Sequence, residues 1–152
     1  MKEIAYNDLT SMVGQDIGVS DWFEVTQDRV NLFADATGDH QWIHVDPDRA
    51  AKELPTGTTI AHGFLTLSLI PVLGAQIMRV TGVNMGINYG CNKVRFTSMV
   101  PVGSKVRARQ KLTGAEPKGG GIQLISEFTI EIDGQDRPAC IAESLTILYP
   151  AG

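Results

Sequence analysis

Cysteine is scarce in this chain: Cys91 and Cys140 are the only two among 152 residues, and they form no CxxC pair. That spacing argues against a disulfide framework and against a cysteine zinc site. A strong charge of one sign is lacking as well. The formal net charge is −4 at pH 7, so neither nucleic acid nor an anionic membrane is indicated as a partner. No apolar run reaches the roughly 20 residues that a bilayer-spanning helix needs. The longest stretch, Phe64 to Val80, is interrupted by Thr66, Ser68, Pro71, Gly74, Gln76 and Arg79, and reads as a buried helix. Met1-Lys-Glu-Ile has neither the basic start nor the apolar core of a secretory signal, so a reduced, cytoplasmic protein is expected.

What is present is the balance of a folded soluble domain, with 43% apolar and 20% charged residues. No repeat, linker or low-complexity tract divides residues 1–152, so one domain is expected. Asn7 to Gly14 suits a single helical turn, and Ile17 to Val25 a first strand. Thr26 reads as the N-cap of a helix with Val30, Phe33, Ala34 and Thr37 on one face, closed by Gly38 in a left-handed conformation. Asp46-Pro47 is a second cap pair, opening a short helix through Leu54.

From Gly63 the chain is apolar on nearly every side, which predicts a long helix buried all round, with Pro71 bending or breaking it. After Gly82 the period changes to two. Lys105 to Lys111 alternates, with Val106 and Ala108 on one face and Lys105, Arg107, Arg109 and Lys111 on the other. Ile122, Leu124, Phe128, Ile130 and Ile132 continue the period, Pro117 to Gly121 forms a hairpin loop, and Ala139 to Tyr149 a last strand. The fold class is therefore α+β: helices early, an antiparallel sheet late, and one central helix against it.

The polar residues concentrate in two places. Asp39 and His44 stand five apart after the end of the first helix, in a segment expected to be a loop. An acid and an imidazole near one another are the requirement for general acid–base work. Each also has a plainer reading, Asp39 as a turn residue bonding its own backbone and His44 as a buried structural histidine. The second place is Ala61-His62-Gly63, at the start of the central helix. The first N–H groups of a helix lack intrahelical partners, and a glycine lets a ligand oxygen approach closely, as an oxyanion hole requires. A metal is not expected: His40 and His44 are four apart, but Gly38 and Pro47 interrupt any helix that would bring them to one face, and no HExxH occurs. No GxSxG elbow supports a serine hydrolase. Gly119-Gly120-Gly121 lies between strands and is read as a turn, and the basic stripe, with Lys93 and Arg95, as a solvated face.

Gly38-Asp-His-Gln-Trp-Ile-His-Val-Asp-Pro47, Ala61-His-Gly-Phe-Leu65 through Ser68, and Asn92 to Gly103 together resemble the MaoC-like, (R)-specific enoyl-CoA hydratases. Gln41-Trp42 stands where the usual motif has Asn-Pro, which is similar to the nodulation-protein-N-like branch. The resemblance implies a single hot-dog domain, an antiparallel sheet wrapped around a long central helix, paired as a homodimer. It implies that Asp39 and His44 are the catalytic pair, that Gly63 donates its N–H to the thioester oxygen, and that Ser68 lines the same pocket. The implied reaction is reversible addition of water to a trans-2-enoyl thioester, with no metal or redox cofactor and with coenzyme A entering only as part of the substrate. The substrate would be an acyl-CoA or acyl-carrier thioester. Two rival readings stand beside it, a hot-dog acyl-CoA thioesterase and a non-catalytic acyl-binding subunit.

Overall fold

A computed structural model describes all of residues 1–152. Strand β1 (Lys2–Ala5) leads into a 3-10 turn (Tyr6–Met12), where one helical turn was expected. The expected first strand is two short ones, β2 (Asp16–Val19) and β3 (Phe23–Glu24). Helix α1 (Gln27–Thr37) begins and ends as its sequence dictates. The Thr26 hydroxyl accepts the Arg29 N–H, and Gly38 closes the helix at φ +80°. Asp46 caps α3 (Pro47–Glu53) in the same way, accepting from the Arg49 N–H.

Between them, Trp42–Val45 forms a single helical turn, α2. His44 therefore stands on a turn of helix and not in the loop its neighbouring glycine and proline suggested. The long helix is in fact two, α4 (Gly63–Ser68) and α5 (Ile70–Ile77), joined through Leu69. Pro71 falls in the first turn of α5, where its missing N–H has no helical partner to lose.

These helices are buried on one stripe only. Leu65, Leu69, Leu73 and Ile77 recur every fourth residue in the core, while Phe64 is 68% exposed and Val72 lies open on the other side. An all-apolar helix was expected to be buried all round; a single sheet can cover only one face of it. The expected helix also stops three residues early, because Met78–Thr81 becomes β4 and pairs in parallel with β1.

The main sheet is antiparallel, in the order β2-β6-β7-β8-β5, with β3 also on β6. It is built from β5 (Val83–Phe96), β6 (Lys105–Lys118), β7 (Gly121–Ile132) and β8 (Cys140–Pro150). The β6–β7 hairpin closes on Gly119 and Gly120, at φ +57° and +84°, the left-handed pair that a tight two-residue hairpin demands. The expected alternation holds on β6. Val106, Ala108 and Leu112 face the helices, while Arg107 and Arg109 bridge Glu131 on the outer face at 2.6 and 3.1 Å. Burial works against ionisation of Glu131, but those two hydrogen bonds outweigh it and hold the carboxyl below its ordinary range.

Candidate functional site

The two polar clusters of the sequence meet at the start of α4. His44 is 6% exposed and His62 3% exposed, and their rings stack with centroids 3.8 Å apart and planes 23° from parallel. Asp39, His44 and His62 each bring a donor atom within 4.8 Å of the others. Helix α1 delivers Asp39 through the Gly38 turn. Its carboxylate Oδ1 accepts the Gln41 N–H at 3.3 Å, which is the turn geometry of the plainer reading, and the residue stays exposed to solvent.

His44 is held at both ends. Its carbonyl accepts from Gln27 Nε2 at 2.8 Å, so α1 clamps the α2 turn. Its ring Nδ1 lies 2.7 Å from the Ile60 carbonyl. A carbonyl can only accept, so Nδ1 carries the proton and Nε2 of the neutral ring keeps its lone pair. Burial pushes the His44 pKa below its ordinary value. The Ile60 hydrogen bond and the Asp39 charge oppose that, while His62 adds to it. His40 goes elsewhere: it pairs with Asp35 at 2.9 Å on the surface, and that hydrogen bond raises its pKa.

Gly63 and His44 line one cavity of about 380 Å³, with Thr66, Phe96 and Ser98 among its walls. A Cβ on Gly63 would fall 2.9 Å from the Phe96 ring, so only glycine fits without moving that ring. Ser68 is not brought to this cavity. Five positions beyond Gly63 and two beyond Thr66, its side chain points to a different face of α4; its hydroxyl donates to the Phe64 carbonyl at 2.7 Å, and it lines a larger cavity of about 690 Å³ between α4–α5 and the sheet. Leu67, Pro71, Gly74 and Phe128 line that larger space with it. Trp42 lies under the Arg49 guanidinium, 4.0 Å from the ring centroid.

His62 belongs to this cluster as well, though no spacing in the sequence assigns it there. Its signal was position alone, a histidine beside the oxyanion glycine. Gln27 was missed for a different reason, since nothing in a helix sequence tells which distant carbonyl its amide will reach.

The Asp39–His44–His62 cluster is the one place with donors for a metal, and the ring geometry speaks against it. Zinc sits in the plane of each imidazole at about 2.0–2.1 Å from nitrogen. Two rings stacked 23° from parallel have planes that meet well beyond that distance. His62 Nε2 is also engaged, 3.0 Å from the Asp39 carbonyl. Neither cysteine supplies a nucleophile: burial raises Cys91 and carries Cys140 to about 11, with Cys91 nearby adding to the latter.

An antiparallel sheet curled about a central helix, with an acid and an imidazole at that helix's start, defines a hot-dog domain of the kind that works on acyl thioesters. The profile of the MaoC like domain matches residues 8–128, and the chain belongs to that family. It is 58% identical over 139 residues to 3-hydroxyacyl-thioester dehydratase Z of Mycobacterium tuberculosis, covering 91% of each chain. It is 46% identical over 150 residues to Nodulation protein N of Rhizobium leguminosarum bv. viciae, covering 97% of this chain and 93% of that one. Among solved structures it is similar to an (R)-hydratase from A. caviae involved in PHA biosynthesis, with a TM-score of 0.71 and 25% identity over 88% of this chain and 94% of that one.

Proposed function

We propose that this chain is an (R)-specific 3-hydroxyacyl-thioester dehydratase that also runs in the direction of enoyl-CoA hydration, with Asp39 and His44 as its catalytic pair. The observation that carries this is the hydrogen bond from His44 Nδ1 to the Ile60 carbonyl. It leaves Nε2 as a lone-pair base in the cavity that Gly63 also lines, within reach of a carboxylate. The 3-hydroxyacyl-thioester dehydratase at 58% identity and the (R)-hydratase structure support the same chemistry.

In the hydration direction the thioester carbonyl rests on the Gly63 N–H, which draws electrons from the double bond and makes the β-carbon electrophilic. His44 Nε2 takes a proton from water, the hydroxide adds to the β-carbon, and negative charge moves to the carbonyl oxygen. The imidazolium then returns that proton to the α-carbon. Asp39 orients the water and stabilises the cation while it lasts. Water is the only co-reactant, so no step calls for a metal or redox cofactor, and coenzyme A enters with the substrate. This reading gives the acyl chain beyond the β-carbon the larger, mostly apolar cavity that Ser68 lines along the same helices.

A homodimer belongs to this reading. Strand β5 is the sheet edge, with Met85, Ile87 and Tyr89 exposed, and the open faces of α4 and α5 add Phe64 and Val72. An unpaired edge with apolar side chains invites a second copy of itself. A cytoplasmic setting also belongs here, in keeping with two free thiols. No helix is long and apolar enough to cross a membrane. The test is hydration of crotonyl-CoA followed by loss of the enoyl-thioester absorbance. Formation of (R)-3-hydroxybutyryl-CoA is expected; release of free coenzyme A without a hydroxyacyl product would overturn the assignment.

A further inference from the structure

His62 has no part in the proton transfers just described, yet it touches both Asp39 and His44 and adjoins Gly63. Its Nε2 lies 3.0 Å from the Asp39 backbone carbonyl, and since that oxygen can only accept, Nε2–H donates. Its ring stacks on the His44 ring at 3.8 Å. It stands directly before Gly63, and its own carbonyl accepts the Thr66 N–H at 3.1 Å, the bond that starts α4. On another side Phe33 of α1 packs against it, centroids 4.8 Å apart. One side chain thus joins the end of α1, the α2 turn and the start of α4.

The remaining nitrogen makes the case sharper. Nδ1 of His62 is buried with no hydrogen-bond partner. An unpaired buried acceptor is a cost to folding, and a phenylalanine would fill the same space without it. What only the imidazole supplies here is the Nε2–H that reaches the Asp39 carbonyl. Asp39 needs such a tether, because it lies on an exposed connection after a glycine in the left-handed conformation. Without it, nothing long-range is seen to hold the Asp39 main chain against His44.

We propose that His62 is a positioning residue for the reaction, fixing Asp39 relative to His44 and Gly63 through its hydrogen bond to the Asp39 carbonyl while its ring braces His44. This rests on the reading of Asp39 and His44 as the catalytic pair. Its consequence is specific: loss of the donor should disturb the geometry of the transition state more than the binding of substrate.

Three variants separate the donor from the ring. His62→Phe keeps the ring and loses the donor. His62→Asn loses the ring and is too short to reach the Asp39 carbonyl. His62→Gln places an amide N–H close to where Nε2–H lies. Two readouts are taken on each purified full-length protein: kcat and KM for crotonyl-CoA, and amide hydrogen exchange at residues 38–41 without ligand.

In His62→Phe and His62→Asn, kcat is expected to fall about 100-fold, the effect of a displacement of about 1 Å in a catalytic group. KM should stay within about twofold, as for an interaction that matters only in the transition state. Exchange at residues 38–41 should quicken by about tenfold or more, reporting local opening of that segment. His62→Gln should recover both readouts toward the wild type.

The proposal is overturned if His62→Phe or His62→Asn folds and keeps wild-type kcat, if the loss falls wholly on KM, or if exchange does not change. It is equally overturned if His62→Gln is no better than His62→Phe on both readouts. Exchange needs no turnover, which keeps this failure apart from that of the catalytic reading. A wild type that hydrates no enoyl thioester, with a segment that still loosens in His62→Phe, would refute the catalytic pair and leave the tether standing. A wild type that turns over, with no effect in any His62 variant, would do the reverse.

Discussion

The Nδ1 of His44 lies 2.7 Å from the carbonyl oxygen of Ile60, and this single contact settles which nitrogen of the ring is free to act as a base. It joins a turn of helix to the segment that leads into the central helix, so the proton state of the site is set by the fold. The geometry of the candidate site therefore depends on backbone as much as on side chains.

Removing either member of the pair should stop the reaction without unfolding the chain. Asp39→Asn keeps the shape of an exposed side chain and removes its charge, and His44→Asn keeps an amide donor where Nδ1–H meets the Ile60 carbonyl. Each is expected to lower kcat by about 10² to 10⁴, the usual worth of a positioned acid or base. Turnover of crotonyl-CoA beside a thermal melt checks this. Near-normal rates with unchanged melting would place the chemistry elsewhere.

The acid limb of the pH profile should lie lower than for an ordinary histidine. Burial depresses the His44 pKa from 6.5, so the ring stays neutral, and able to act as a base, to more acidic pH. The rate constant kcat/KM should hold down to that depressed value and then fall. Stability follows the same sign. The unfolded chain binds this proton more readily, so His44 favours the fold above its unfolded pKa, and that contribution is lost as pH falls through the folded one. A profile of kcat/KM from pH 4 to 9, with an acid limb above 6.5, would contradict the assignment of His44 as the base.

Gly63 and Phe96 should behave as a coupled pair. An alanine at 63 puts its Cβ 2.9 Å from the Phe96 ring, so Gly63→Ala is expected to cost about 1–3 kcal/mol in stability and to slow turnover by displacing the donor N–H. Combining it with Phe96→Leu should recover part of both losses. A double-mutant cycle measures the coupling, and strict additivity would mean that the ring is not the obstacle.

Filling the larger cavity should shorten the accepted acyl chain. At Gly74 a Cβ would meet the Phe128 ring at 3.4 Å, which is ordinary contact, so Gly74→Leu builds into the open space with little strain at its base. Rates with crotonyl-CoA should change little, whereas kcat/KM for a twelve-carbon enoyl-CoA should fall about tenfold or more, the loss of about 1.4 kcal/mol of transition-state binding. An equal effect on both substrates would show that the chain takes another path.

The subunit contact should be sensitive to charge on β5 and on the open helix face. Ile87→Lys together with Val72→Glu is expected to shift the protein from dimer to monomer in sedimentation velocity, because each places a charge in an apolar surface that a partner would bury. A wild-type chain that sediments as a monomer at micromolar concentration would remove the dimer from the proposal.

Much of this was legible in the sequence. Thr26 and Gly38 announced the ends of α1, Asp46-Pro47 the start of α3, and the glycines at 119 and 120 a tight hairpin, because caps and turns depend on local backbone chemistry. The alternation along β6 was equally local. The candidate pair Asp39 and His44 could be named because its spacing sits between two such punctuation marks.

Other features were decided in three dimensions. The period of the segment after Gly63 was hidden by its being apolar throughout, so the buried stripe of Leu65, Leu69, Leu73 and Ile77 appeared only once a sheet covered one side. Strand β4 took residues that read as helix because β1, more than seventy residues earlier, supplied a pairing edge. Ser68 faced a different cavity from Gly63 because five positions along a helix turn a side chain to another face.

By itself, then, the sequence determined which residues cap, turn and alternate, and it named a few as candidates for chemistry. The tertiary structure decided how those few meet: the tautomer of His44, the stacking of His62 upon it, and the hydrogen bond that holds Asp39. Each of these is a contact between segments separated by 16 to 23 residues, and no local propensity specifies a partner at that distance.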